Sequence, residues 1–159
     1  MLKSWFWLSV LVIVLDQATK TLAETLLVMH RPIPVLPSFN FMLTYNTGAA
    51  FSFLANAGGW QRWFFLGLGL TVSIGLIIWL HRLKPEAKRL AAALALILGG
   101  AVGNLIDRAW LGQVIDFIQL YYDQWYWPAF NIADSAITLG AVLLVLDSFW
   151  TREASPRLS

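Results

Sequence analysis

Between Phe130 and Trp150 the chain reads FNIADSAITLGAVLLVLDSFW. The stretch has about the 20 residues an α-helix needs to cross roughly 30 Å of hydrocarbon. Yet it carries a carboxylate, Asp134, a few residues inside its leading end. An ionisable side chain at membrane depth costs at least ~2.5 kcal/mol near a helix centre and usually faces a bundle interior or a water-filled cavity. The segment therefore predicts a spanning helix and a polar site near its start.

Three further segments have comparable length and character: Trp5 to Leu27, Trp63 to Leu80 and Leu90 to Ile106. With 58% apolar residues in 159, the chain falls outside the soluble globular class. The expected fold is an all-α polytopic membrane protein, one domain over residues 1–159. Four transmembrane helices carry a small β-sheet and a short helix or loop on one surface. Lys3 followed by an apolar run could open a cleaved signal peptide, but no small-x-small site follows it, so the first segment is read as a retained helix.

Charge placement orients the bundle. Lys3, Arg82, Lys84, Lys88, Arg89, Arg152 and Arg157 fall on one side of a four-helix arrangement, against Arg31, Arg62 and Arg108 on the other. The positive-inside rule then makes both termini, residues 81–89 and residues 151–159 cytoplasmic, and residues 29–62 and 107–129 periplasmic. A net charge of +2 with no basic stripe gives no reason to expect nucleic acid as a partner. The absence of cysteine excludes disulfides, thiolate metal sites and a cysteine nucleophile. His30 and His81 fall at opposite membrane faces, so a shared histidine metal site is not expected.

The two outer connections differ. In the first, Pro32, Pro34 and Pro37 forbid an ordinary helix, and FNFMLTYN then alternates: Phe39, Phe41, Leu43 and Tyr45 on one face, Asn40, Met42, Thr44 and Asn46 on the other. This predicts strand structure, with a turn at Asn46-Thr47-Gly48. In the second, five aromatics crowd between Tyr121 and Trp127, which predicts a segment lying along the bilayer surface.

Depth sorts the polar residues. At about 1.5 Å rise per residue, Asp16 lies near mid-membrane and Lys20 one turn closer to the outer face. Asn104, Asp107 and Arg108 lie at the outer end of the third helix, and Asn131 and Asp134 in the first turns of the fourth. Asp116 lies in the loop between. Most unusual polar groups thus share one outer layer. Asp16 and Lys20 have the i,i+4 spacing of an ion pair, which serves either to neutralise both for insertion or to organise a polar pocket; spacing leaves both readings open. Asp147, near Arg152, reads as an interfacial charge.

Asp116 and Asp134 have no basic partner at helical spacing. Either could be a solvated or helix-terminal anion. Alternatively, the two share one proton across a water, the charged carboxyl acting as general base while the protonated one polarises a scissile carbonyl. Such a dyad cleaves amides without metal, cysteine or histidine. The rival readings are a small ion- or proton-coupled transporter subunit, a serine peptidase using Lys20 with Ser52 or Ser135, and a structural scaffold.

The blocks DQATK (Asp16 to Lys20), YNTGAAFS (Tyr45 to Ser52), GGAVGNLIDR (Gly99 to Arg108), VIDFI (Val114 to Ile118) and FNIADSAI (Phe130 to Ile137) occur in this order over nearly the whole chain. Together they resemble the signature blocks of the lipoprotein signal peptidase (signal peptidase II) family. The resemblance implies a bacterial inner-membrane aspartyl endopeptidase that cuts prolipoproteins just before their diacylglyceryl-modified cysteine, with no metal or other cofactor. It implies prolipoproteins and membrane lipids as partners, and inhibition by globomycin-type peptides. By motif position it implies Asp116 and Asp134 as the catalytic pair. Asn46, Gly48, Asn104, Arg108 and Asn131 would line or support the site, and Asp16 and Lys20 would have structural or substrate-orienting roles. The strand segment would match the family's periplasmic cradle, and the aromatic segment its periplasmic helix.

Overall fold

The structure, a computed structural model, describes residues 3–48 and 58–153, with side chains from residues 5 to 149. Four helices dominate: α1 (Lys3–Leu26), α2 (Gln61–Arg82), α3 (Lys88–Trp110) and α4 (Ile132–Glu153). Each is long and apolar enough to cross a membrane, and together they form the multi-pass core that composition predicts. Several helix hydroxyls bond the preceding turn of their own helix, as suits a low-dielectric surround. Thr19 donates to the Leu15 carbonyl at 2.7 Å, and Thr71 to that of Gly67 at 2.8 Å.

α3 is the central helix: 56% of its apolar span is covered by protein, against 11% for α2. Small residues allow this. Gly99 and Gly103 face α1, where an added Cβ would lie 2.7 Å from Val12 Cβ and 2.6 Å from an Asp16 carboxylate oxygen, respectively. Gly100 faces the Ala133 carbonyl and Ile137 of α4. The small-xxx-small spacing of Gly99 and Gly103 brings backbones together where no hydrophobic drive between helices exists.

The end of the bundle where α1 and α3 finish and α2 and α4 begin carries a four-stranded antiparallel sheet, β1 (Ile33–Leu36), β2 (Phe39–Asn46), β3 (Val114–Tyr122) and β4 (Trp125–Tyr126), in that order. Pro37-Ser38 turns β1 into β2, with Ser38 at φ 69°; proline first and positive φ second is the type II pattern. Strict alternation along β2 is broken. Pairing runs Phe41↔Ile118 and then Thr44↔Asp116, so β2 carries one extra residue. This bulge makes Asn40 and Leu43, three apart, the buried positions.

The aromatic stretch, expected as a surface helix or loop, is a β-hairpin arm. β3 continues to Tyr122, a two-residue turn with Asp123 at φ 52° reverses it, and Trp125 and Tyr126 pair back, with Tyr121 and Tyr126 stacked at 5.5 Å. The aromatic residues that suit an interface also have high strand propensity. The expected Asn46-Thr47-Gly48 turn begins as an Asx turn, the Gly48 N–H donating to Asn46 Oδ1 at 2.9 Å; Ser52 lies outside the described residues. His30 and His81 lie at opposite ends of the bundle, at the close of α1 and of α2. Asp147 pairs with Arg89 at 3.1 Å.

The close approach at Gly103 sets a test. Gly103→Ala should lower stability by about 1–3 kcal/mol, because its methyl meets the Asp16 carboxylate. Gly75→Ala on α2, with nothing within 4 Å of the added carbon, should be neutral or stabilising. Thermal unfolding in detergent compares the two; equal effects would remove the packing argument.

Candidate active site

The site is built upward from Lys20, 1% exposed despite its long charged side chain. Its three ammonium protons have three acceptors: Asp16 Oδ2 at 2.7 Å, Asp107 Oδ2 at 2.8 Å and Asn104 Oδ1 at 3.0 Å. Asp16 and Asp107 are also buried. A buried charge pair repays desolvation only when its remaining donors and acceptors are satisfied, and these are. Gln17 Nε2 donates to Asp107 Oδ1 at 2.8 Å and to the Gly103 carbonyl at 3.2 Å.

Each carboxylate also holds a backbone N–H from a different element. Asp16 Oδ1 accepts from Ala133 N at 2.9 Å, and Asp107 Oδ2 from Ile115 N at 3.2 Å. Ala133 immediately precedes Asp134, and Ile115 immediately precedes Asp116. One ammonium therefore anchors, through its two counterions, the backbone beside each of the two aspartates.

Asn131 joins the two sides. Phe130 bridges to Ile118 of β3 with reciprocal backbone bonds of 2.9 and 3.0 Å, which places Asn131, fully buried, beside Asp116. Its Oδ1 caps α4 by accepting from Asp134 N at 2.8 Å. Its Nδ2 donates to Asp116 Oδ1 at 2.7 Å, with the Ile115 carbonyl at 3.1 Å and Asn104 Oδ1 at 3.2 Å also in reach. Asn104, its amide oxygen turned to Lys20, presents Nδ2 to Asp134 Oδ1 at 2.8 Å. Asn46 also hydrogen-bonds Asp116. The amide donors thus converge on the two carboxylates.

Asp116 is 2% exposed. Burial first, and the nearby Asp134 charge second, push its carboxyl up to about 7, against the opposing pull of the Asn46 and Asn131 hydrogen bonds and the Lys20 charge. At neutral pH it is poised between its two protonation states, as a proton-transferring group should be.

Asp116 and Asp134 open onto one cleft of about 1380 Å³, which Asn46, Asn104 and Arg108 also line. It runs between the hairpin arm, with Tyr121 and Trp125, and the outer face of α4, with Leu139 and Val142. Arg108 donates from Nη2 to the Gly48 carbonyl at 2.8 Å. Ser135 Oγ is engaged with the Asn131 carbonyl at 2.9 Å, and all three Lys20 protons are taken. Among the described residues no group of three or more His, Cys, Asp and Glu side chains is arranged to hold a metal ion.

The sequence-predicted residues Asn46, Gly48, Asn104, Arg108, Asp116, Asn131 and Asp134 therefore converge around one cleft. Asp16 and Lys20 lie behind it, acting on its walls through hydrogen bonds. Asp107 and Gln17, to which no role is assigned from sequence, belong to the same network. The signal for Asp107 is a third outer-layer charge left without a partner; its distance in sequence hides the partner.

The family profile described as "Signal peptidase (SPase) II" matches residues 8–150. The chain belongs to the signal peptidase II family. A lipoprotein signal peptidase of Acinetobacter baumannii is 56% identical over 155 residues, covering 98% of this chain and 88% of the relative. One from Pseudomonas aeruginosa is 54% identical over 152 residues, covering 94% and 90%. A solved bacterial membrane enzyme superposes with a TM-score of 0.87 at 28% identity, over 99% of this chain and 94% of that one. A second gives 0.77 at 30%, over 91% and 92%. Membership makes the chain an aspartic membrane peptidase, and the signal peptidase II helices and sheet are those the apolar windows and strand alternation predict.

The Lys20 hub gives a quantitative expectation. Lys20→Met leaves two carboxylates buried without a counterion and should cost about 3–5 kcal/mol. Adding Asp107→Asn, which removes one of the stranded charges, should recover part of the loss in thermal unfolding. No recovery would mean that the hub is not electrostatic.

Proposed function

We propose that this chain is a lipoprotein signal peptidase in which Asp116 and Asp134 cleave a diacylglyceryl-modified prolipoprotein just before its lipidated cysteine. The observation that carries the reading is one cleft lined both by Asp116 and Asp134 and by Leu139 and Val142. The two apolar side chains are exposed on a spanning helix. A signal-peptide helix and its acyl chains enter from the lipid beside α4, and the bond to be cut meets the carboxylates in the layer of the sheet. The basic residues Arg82, Lys84, Lys88 and Arg89 lie at the opposite end of the bundle. That placement supports cytoplasmic termini and a periplasmic site in the bacterial inner membrane.

With one proton on the pair, the ionised carboxylate removes a proton from a water held between the two, and the hydroxide adds to the scissile carbonyl. The protonated partner gives its proton to the carbonyl oxygen, forming a neutral gem-diol. Collapse breaks the C–N bond as the proton gained by the base passes to the leaving amine of the cysteine and a gem-diol hydroxyl returns its proton to the partner carboxylate, leaving a carboxylic acid and one proton on the pair. The Asn104 and Asn131 amides stabilise the carboxylate charges while these protons move. Arg108 and Asn46 offer hydrogen bonds to the substrate backbone, with Gly48 fixing the turn. The hairpin arm, with Trp125 exposed at 82%, covers the cleft and limits water.

A transporter requires polar groups spread through the membrane depth, whereas the described buried charges Asp16, Lys20, Asp107 and Asp116 belong to one hydrogen-bonded cluster that runs from mid-membrane to the sheet. A serine–lysine mechanism requires a free Lys20 amine, whose protons are committed to Asp16, Asp107 and Asn104. Purified protein should cleave a diacylglyceryl prolipoprotein and be inhibited by globomycin. Asp116→Asn and Asp134→Asn should each lower turnover by at least about 10³-fold, while Ser135→Ala keeps it. Wild-type turnover in either asparagine variant would refute the dyad.

A further inference from the structure

α2 takes no part in the Lys20 hub and packs chiefly on α3, touching α1 through His81 and Phe6 near its far end. Its first turn nevertheless reaches the site. Arg62 lies at the carboxyl end of α3, where the last carbonyls and the negative pole of the helix attract a cation. Its Nε donates to the Arg108 carbonyl at 3.1 Å and its Nη2 to the Ala109 carbonyl at 2.8 Å. Gly112, at φ 80°, lets the chain turn away past this side chain; an added Cβ there would lie 3.2 Å from Arg62 Nη1. One helical turn on, the Phe65 ring lies under the Arg108 guanidinium, 5.2 Å from Cζ to the ring centroid. Arg62 thus holds the backbone of Arg108, and Phe65 holds its charged head.

The guanidinium needs such a hold. Its Nε is buried with no hydrogen-bond partner among the described residues, and its bond to its own helix, Nη1 to the Asn104 carbonyl, is long at 3.4 Å. Among the described residues lining the cleft, Arg108 is the only cation. Left to its own hydrogen bonds, a long flexible side chain would take other rotamers. The ring and the pinned helix end select the one that faces the Gly48 carbonyl and the cleft.

We propose that Arg62 and Phe65 are positioning residues, holding Arg108 at the cleft so that it meets substrate with little loss of freedom. The inference rests on the reading of the cleft as the peptide-cleaving site, which cleavage by the wild-type protein establishes separately. In detergent-purified full chain, Arg62→Ala should raise KM for a diacylglyceryl prolipoprotein about tenfold, with kcat within about threefold of wild type. Arg62→Lys, which keeps the charge but loses the fork that spans two carbonyls, should recover only part of this.

A role in folding alone would lower the maximal rate in proportion to the folded fraction and leave KM unchanged, which would overturn the proposal. A double-mutant cycle, read as binding of the lipidated peptide to the Asp116→Asn form, should show no further loss from Arg62→Ala once Arg108→Ala is present; additive losses would also overturn it. If Arg62→Ala does not fold, Phe65→Leu leaves the helix end capped and should raise KM about threefold; an unchanged KM there contradicts the proposal equally.

Discussion

The burial of one ammonium group among two carboxylates and an amide organises the rest of this molecule. Lys20 is too deep to reach solvent, so it must carry its counterions with it. Asp16 comes from its own helix and Asp107 from α3. Satisfying the charge therefore fixes α1 against α3, and the glycines of α3 bring the backbones close enough for it. Had the two carboxylates only neutralised the lysine, the arrangement would be a permit for insertion. Because each also accepts a backbone N–H, one from α4 and one from β3, it also sets where the cleft's walls stand.

Local structure and chemistry meet at Asn131. As the cap of α4 it ends the strand-like segment at Phe130 and begins the helix, and as a donor to Asp116 it crosses to β3. The same side chain thus fixes the start of α4 relative to the strand that carries the other aspartate. Catalysis by paired groups depends on such preorganisation, since a misplacement of about 1 Å can cost on the order of 10²-fold. In this protein the precision comes from bonds to the flanking backbone, with the reacting carboxyls left to face the cleft.

Much of this was legible in the chain, and unevenly. The four helices follow from apolar length, and the outer polar layer from depth. Segment ends were less readable: the third apolar segment spans Leu90 to Ile106, whereas the helix that carries it runs from Lys88 to Trp110, its outer end holding Asp107, which pairs with Lys20. Asp16 and Lys20 show their pairing through i,i+4 spacing, but Asp107 lies 87 positions beyond Lys20, and no local pattern records the third member. The hairpin arm differs from the surface helix or loop expected there because Tyr and Trp serve interfaces and strands alike. The β2 bulge leaves no mark in the sequence, since the residue types alternate through it while the buried positions shift to Asn40 and Leu43. Arg62 looked like a topological charge; that it caps α3 depends on a contact between helices that spacing cannot express.

The claim at the centre of this account is that Asp116 and Asp134 are electrostatically one unit. The direct measurement is the titration of the Asp116 carboxyl, followed by isotope-edited infrared or carbon NMR in lipid nanodiscs, in wild type and in Asp134→Asn. The account predicts a wild-type midpoint of about 7 that falls when Asp134 loses its charge, yet stays above the usual carboxylate range because burial persists. A midpoint unmoved by Asp134→Asn would contradict it.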